Sequence, residues 1–186
     1  MDRVNIEIED INQIIVSDSS WLKDGTWYKR DGSLKDIISA EEIGLFEPPK
    51  TFFHLKKKFF NEIFKDKSKW GIIIVRGPRR IGKTSTIKYL IKTMIEKGYP
   101  RESFIYISLD NEKLLFILEK KKMLKEFVET IIEKFDRRPL IIVLDEVTFY
   151  KGWARAIKNL IDNGKISDGI GAVSYTHLTL PTTERV

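Results

Sequence analysis

The chain has 186 residues, 42% of them apolar, 11% aromatic and 32% charged, with no cysteine. That aliphatic and aromatic content excludes a disordered chain, and the missing cysteines exclude a disulfide scaffold, a thiolate zinc site and a thiol nucleophile. No run approaches the ~18 apolar residues of a membrane span, and Met1 opens on charges rather than a signal peptide, so a soluble cytoplasmic protein is expected. Charge is uneven: residues 1–50 carry 6 Lys or Arg against 11 Asp or Glu, a net of −5, whereas residues 51–186 carry 27 against 16, a net of +11. A basic body fits phosphate, nucleic acid or an acidic partner, although charge runs are more often just solvated helix faces.

Val4 to Glu9 alternates apolar and charged residues, which predicts a short strand continued by Ile14 to Val16. Asp24-Gly25 and Asp31-Gly32 bracket Trp27 and Tyr28 as in a hairpin, and Glu47-Pro48-Pro49 places a boundary near residue 50. Thr51 to Lys65 reads as a helix, with Phe52, Leu55, Phe59, Phe60, Ile63 and Phe64 on one face. Strand and helix then alternate. Ile72 to Val75 is a β-branched run expected of a strand buried on both faces; a helix follows over Lys83 to Lys97, ended by Gly98. Phe104 to Leu109 is a second strand, Leu114 to Phe135 is helical at least from Met123, Leu140 to Leu144 is a third strand, and Trp153 to Ile161 a further helix. This alternation predicts a parallel sheet covered by helices.

Gly77-Pro78-Arg79-Arg80-Ile81-Gly82-Lys83-Thr84 satisfies G-x-x-x-x-G-K-[ST] at every fixed position, between a strand and a helix. Backbone N–H groups at a helix N-terminus can surround a phosphate, and glycine lets the backbone approach it. Lys83 can follow the β- and γ-phosphates, and the Thr84 hydroxyl can coordinate Mg²⁺. Asp145 and Glu146 end the third strand, 62 residues after Lys83. Carboxyl ends of parallel strands line the ligand crevice, so both acids are expected beside the loop. There Asp145 would hold Mg²⁺ and Glu146 would act as general base on water. Such a pair fits an ATPase better than a small-molecule kinase. Arg79 and Arg80 read either as phosphate or partner contacts or as exposed loop residues. With only His54 and His177 present, a histidine metal site has no support, and His54 reads as a surface residue or a neighbour of the adenine.

The series GPRRIGKTS, FIYISLD and LIIVLDEV, followed by a helix with Trp153 and by Leu160-Ile161-Asp162-Asn163-Gly164, resembles the archaeal-type AAA ATPases over roughly residues 50 to 170. The resemblance makes Gly77 to Ser85 the Walker A loop and Asp145 and Glu146 the Walker B pair. Asp110 matches a frequent acidic position of the family. It implies an α/β P-loop NTPase fold, a three-layer parallel sheet with flanking helices in the order 5-1-4-3-2, here incomplete at the C-terminus and preceded by a small β-containing extension. ATP and Mg²⁺ are the implied ligands, hydrolysis coupled to conformational change the implied activity, and a homo-oligomer supplying an arginine in trans the implied assembly. The strand after Asp168-Gly169 would insert between the first and third strands. The threonine-glycine-serine sensor turn, fifth strand, arginine finger and C-terminal domain of the family have no counterpart. A regulatory nucleotide switch with little turnover and a catalytically dead fragment are the alternatives.

Val173 to Thr182 reads VSYTHLTLPT, the translation of GTC TCT TAT ACA CAT CTG ACG CTG CCG ACG, which resembles a transposase-end adapter from sequencing libraries. The expected organisation is therefore an acidic extension over 1–50, a truncated ATPase core over 51–171 and an adapter-derived tail over 172–186. Val173 to Leu178 has enough β character to fill the vacant central slot. Two roles fit the extension, bracing the core or contacting another subunit.

Overall fold

A computed structural model of the chain describes residues 8–78, 80–121, 123–136 and 138–177. Four strands, β1 (Gly71–Gly77), β2 (Phe104–Ser108), β3 (Leu140–Asp145) and β4 (Ile170–His177), form one sheet in the order β1-β4-β3-β2, every pairing parallel. The helices are α1 (Ile8–Asp18), α2 (Lys35–Glu42), α3 (Lys50–Leu55), α4 (Asn61–Lys65), α5 (Lys83–Glu96), α6 (Glu112–Lys121), α7 (Leu124–Lys134) and α8 (Trp153–Asp162).

Period-2 alternation sends neighbouring strand residues to opposite layers. Ile105, Ile107, Ile142 and Leu144 pack with α6, α7 and α8, whereas Phe104, Tyr106, Ile141 and Val143 pack with α3, α4 and α5. The result is the expected three-layer α/β fold. β4 occupies the slot between β1 and β3, with Ile73 opposite Val173 and Leu144 opposite Ser174. Because every pairing is parallel, the C-terminal ends of β1 and β3 lie at the same end of the sheet on either side of β4, where the loop after Gly77 and Asp145 are found.

Several sequence expectations need correction. The predicted strand at the N-terminus falls partly outside the described residues, but Ile8, Glu9 and Ile14 to Val16 belong to α1. The strict alternation stops at Ile8, and Ile8, Ile11, Ile14 and Ile15 recur at helical spacing, so the described part of the extension is helical rather than β-containing. The hairpin is replaced by two 3₁₀ turns, Ser20–Leu22 and Trp27–Lys29. Side chains hold these bends: Asp24 accepts from the Thr26 amide at 2.8 Å, and Asp31 from the Ser33 amide at 2.9 Å. The helix over 51–65 is continuous in direction but carries a π-helical turn, Lys56–Phe60, between α3 and α4. The long helix over 114–135 is two helices, α6 and α7. β1 is not buried on both faces: it is the outermost strand among the described residues, and Ile74 is 42% exposed.

The extension packs onto the sheet. Odd-numbered residues of β2 bond to β3, as Leu109 N–H to Asp145 C=O shows just beyond the strand, so the polar groups of Phe104, Tyr106 and Ser108 face outward. Side chains from the extension meet four of these six groups. Trp21 Nε1 donates to Phe104 C=O at 2.9 Å, Ser19 Oγ accepts from Tyr106 N–H at 2.8 Å and donates to Tyr106 C=O at 3.0 Å, and Asp18 accepts from Ser108 N–H at 2.9 Å. Among the described residues, these side chains rather than a further strand cover the outer edge of β2.

Candidate functional site

β1 ends at Gly77, and α5 begins at Lys83 after a tight loop. Two positive-φ residues turn the chain: Arg80 at 62° and Gly82, which caps α5, at 79°. A left-handed cap lets the helix start abruptly, leaving its first amides directed into the loop. A Cβ at Gly77 would meet Ile81 Cδ1 at 2.7 Å, a contact that the exposed Ile81 side chain can relieve by moving. Pro78, Arg80, Ile81 and Gly82 are exposed, while Lys83, Thr84 and Ser85 are half-buried. Arg79 lies outside the described residues.

Lys83 Nζ folds back over the loop, donating to Gly77 C=O at 3.0 Å and Pro78 C=O at 2.6 Å. Thr84 Oγ1 donates to Asp145 Oδ2 at 2.6 Å, joining the start of α5 to the end of β3 across 61 residues of chain. Asp145 is only 2% exposed. Its Oδ1 accepts from Glu146 N–H at 2.9 Å, and its Oδ2 also accepts from the Tyr106 hydroxyl at 2.5 Å. Glu146 follows in a left-handed conformation, φ 56°, uncommon for a residue with a Cβ. Such outliers concentrate at functional sites. The fold therefore brings Lys83, Thr84, Asp145 and Glu146 to one end of the sheet.

Other expected residues lie apart from this cluster. Asp110 is exposed and accepts from the Ser108 hydroxyl, and His54 is an exposed residue of α3. No group of three or more His, Cys, Asp or Glu gathers as a metal cage among the described residues. Nor is any helix there long and apolar enough to cross a membrane.

Sequence reading missed three residues. Tyr106 reaches Asp145 from β2; burial pushes its phenol well above the ordinary tyrosine range, with the Asp145 charge adding to the effect. Lys88 lies over the Tyr106 ring, 4.9 Å from its centroid, and Asp31 of the extension holds Lys88 at 2.8 Å. Burial disfavours the Asp31 carboxylate, yet the Lys88 and Ser33 hydrogen bonds outweigh it and hold the carboxyl below its ordinary value. The available signal was register: Tyr106 lies two residues before Ser108, the partner of Asp145.

A family model described as an AAA domain matches residues 69–180, more than half of the chain and the whole of the sheet. The chain belongs to the AAA domain family. It is thus an AAA-type P-loop ATPase domain, a class defined by nucleotide binding. Two solved structures are similar to it: C. elegans PCH-2, with a TM-score of 0.42 and 18% identity over 72% of this chain and 36% of that one, and Rhizobiales Trip13, with a TM-score of 0.33 and 15% identity over 92% and 57%. The AAA chain described here thus spans between about a third and somewhat over half of those two. No curated protein matches it.

Proposed function

We propose that this AAA protein binds ATP together with Mg²⁺ and hydrolyses it, the residues over 77–85 enclosing the phosphates and the Asp145-Glu146 pair completing the site. The observation that carries the reading is the Thr84–Asp145 contact at 2.6 Å, which puts the helix-start hydroxyl and the strand-end acid on one point. The donor set fits Mg²⁺: a hydroxyl and one carboxylate offer hard oxygens, and Mg²⁺ takes its remaining ligands from phosphate and water rather than from a protein cage. Thr84 and Asp145 would hold the ion, which when bound neutralises charge developing on the β- and γ-phosphate oxygens.

The rest is done by the chain. Amides at the start of α5 and the positive helix end bind phosphate oxygens. Lys83 exchanges its carbonyl partners at Gly77 and Pro78 for phosphate oxygens, moving a point charge onto the terminal phosphates. Glu146 accepts a proton from the water that attacks the γ-phosphorus in line, and ADP leaves with its bridging oxygen carrying the released charge. Coupling of this step to attached domains, an arginine supplied by a neighbouring copy, and an archaeal-type lineage follow from the resemblance of the motifs. The net +11 of residues 51–186 supports DNA as a partner.

The test is ATP hydrolysis by the wild type and Glu146→Gln, with and without duplex DNA. Loss of turnover on the order of 10²- to 10⁴-fold with ATP binding retained is expected of a lost general base. Equal rates would remove Glu146 from that role, and wild-type binding without turnover would favour the regulatory switch. The adapter reading of Val173 to Thr182 is tested separately by re-sequencing the locus; an unbroken natural frame encoding these residues overturns it.

A further inference from the structure

Asp145 is held by three donors from three places. Thr84 comes from α5, the Glu146 amide from the turn after β3, and the Tyr106 hydroxyl from β2, the neighbouring strand. The first two belong to the segments that enclose the phosphates in the proposed function. Among the described residues, Tyr106 is the donor that ties the carboxylate to a neighbouring strand, from a buried position 4% exposed. A buried carboxylate rotates about its last torsion unless donors fix it, and a hydroxyl at 2.5 Å is a short, strong charge-assisted bond.

Tyr106 is in turn fixed from the N-terminal side. Ser19 Oγ bonds both its N–H and its C=O, Trp21 packs edge-on at 6.4 Å between ring centroids, and Lys88 lies over its ring while paired to Asp31. The segment over 19–31 therefore contacts the residue that orients Asp145 without touching Asp145 itself in any of these bonds.

We propose that Tyr106 is a positioning residue for Asp145, and that the N-terminal segment over residues 19–31 sets the cation affinity of the nucleotide site by fixing Tyr106. The inference rests on the reading of Asp145 as a Mg²⁺-holding residue. Partners that orient a metal ligand from behind contribute to metal affinity without meeting the metal, typically about 10- to 100-fold.

The experiment uses the full 186-residue chain and calorimetric binding of ADP, first in EDTA and then over a Mg²⁺ series. Tyr106→Phe keeps the ring and removes the hydroxyl. Its metal-free ADP affinity is expected within about twofold of wild type, and its Mg²⁺ affinity reduced on the order of tenfold. Asp31→Asn, which releases Lys88 and leaves the Tyr106 hydroxyl in place, is expected to shift Mg²⁺ affinity in the same direction by less, and it carries the test if Tyr106→Phe loses its cooperative melt. A merely structural tyrosine would lower ADP affinity with and without Mg²⁺ alike. That result, or Mg²⁺ affinity at the wild-type value in both variants, overturns the proposal. If the wild type binds ADP with no response to Mg²⁺, the reading of Asp145 fails first, and the positioning role with it.

Discussion

Ser19→Ala removes one hydroxyl that serves two backbone groups. Ser19 is fully buried, and its oxygen accepts from Tyr106 N–H at 2.8 Å and donates to Tyr106 C=O at 3.0 Å. Alanine fits the space but leaves both groups without a partner on the outer edge of β2. An orphaned buried donor costs about 1–3 kcal/mol, and an orphaned carbonyl at the lower end of that range, so the expected loss is about 2–4 kcal/mol. That is a large fraction of the roughly 5–15 kcal/mol that keeps an ordinary domain folded. Urea unfolding followed by tryptophan fluorescence measures it, with Trp21 and Trp27 reporting from the same segment. Trp21→Phe, which loses one bond to Phe104 C=O while keeping an aromatic ring, is expected to cost less than Ser19→Ala through hydrogen bonding, about 1–2 kcal/mol, apart from the smaller ring. A loss below about 0.5 kcal/mol for Ser19→Ala, the range of an ordinary surface change, would refute the view that this side chain replaces a neighbouring strand.

Lys83→Ala should lower ATP affinity on the order of 10- to 100-fold, since a charge-assisted hydrogen bond contributes about 1.5–3 kcal/mol; unchanged binding by calorimetry counts against the phosphate-loop assignment. Asp18→Asn probes acid dependence. Burial raises the Asp18 carboxyl above 3.8, with the Ser108 amide and Lys88 opposing and Asp110 adding to the rise. A raised carboxyl binds its proton more readily folded than unfolded, so its charge destabilises the fold above the folded pKa, and that penalty disappears as pH falls from the raised value through 3.8. Asparagine keeps an acceptor for Ser108 without the charge. The variant should therefore be at least as stable as wild type at neutral pH, with the two converging on acidification; a wild-type advantage at neutral pH shows that Lys88 attraction outweighs burial.

The parts of this molecule legible in the sequence were those governed by local rules. β-branched runs marked β1 and β3, the loop glycines marked the start of α5, and the acids Asp145 and Glu146 marked the end of β3. The placement of β4 followed from the resemblance and from β character alone. What sequence reading missed depended on distant partners. α1 was mistaken for a strand because Val4, Ile6 and Ile8 alternate before the helical spacing of Ile11, Ile14 and Ile15 takes over. The Asp24 and Asp31 turns resemble hairpin ends locally; no partner strand exists for them among the described residues, so they close 3₁₀ turns instead. Tyr106 read as one more apolar strand residue, because its hydroxyl acquires meaning only when β2 lies beside β3. The β-branched run of β1 suggested burial on both faces, a property that composition does not fix, and Ile74 is 42% exposed in the outermost strand among the described residues.

The same long-range packing changes the meaning of the charge asymmetry. The −5 of residues 1–50 and the +11 of the remainder first read as solvated faces or partner surfaces, with the extension either bracing the core or contacting another subunit. Part of that opposition is internal. Asp31 meets Lys88 at 2.8 Å, Glu41 meets Lys92 at 3.2 Å, and Glu41 also accepts from the Tyr89 hydroxyl at 2.6 Å, all on α5. Exposed pairs contribute about 0–1 kcal/mol, but Lys88 and Asp31 are only 15% and 10% exposed, and Lys92 is 7% exposed between Glu41 and Glu96. Glu41 and Glu96 are themselves 38% and 50% exposed, so only the Asp31–Lys88 pair is shielded on both sides and fixes register more than it adds stability. The acidic extension thus holds α5, the helix that begins with Lys83 and Thr84, at Lys88, Tyr89 and Lys92, and it reaches the strand beside Asp145 through Tyr106. A segment that looked separable by charge is thereby joined to both halves of the site.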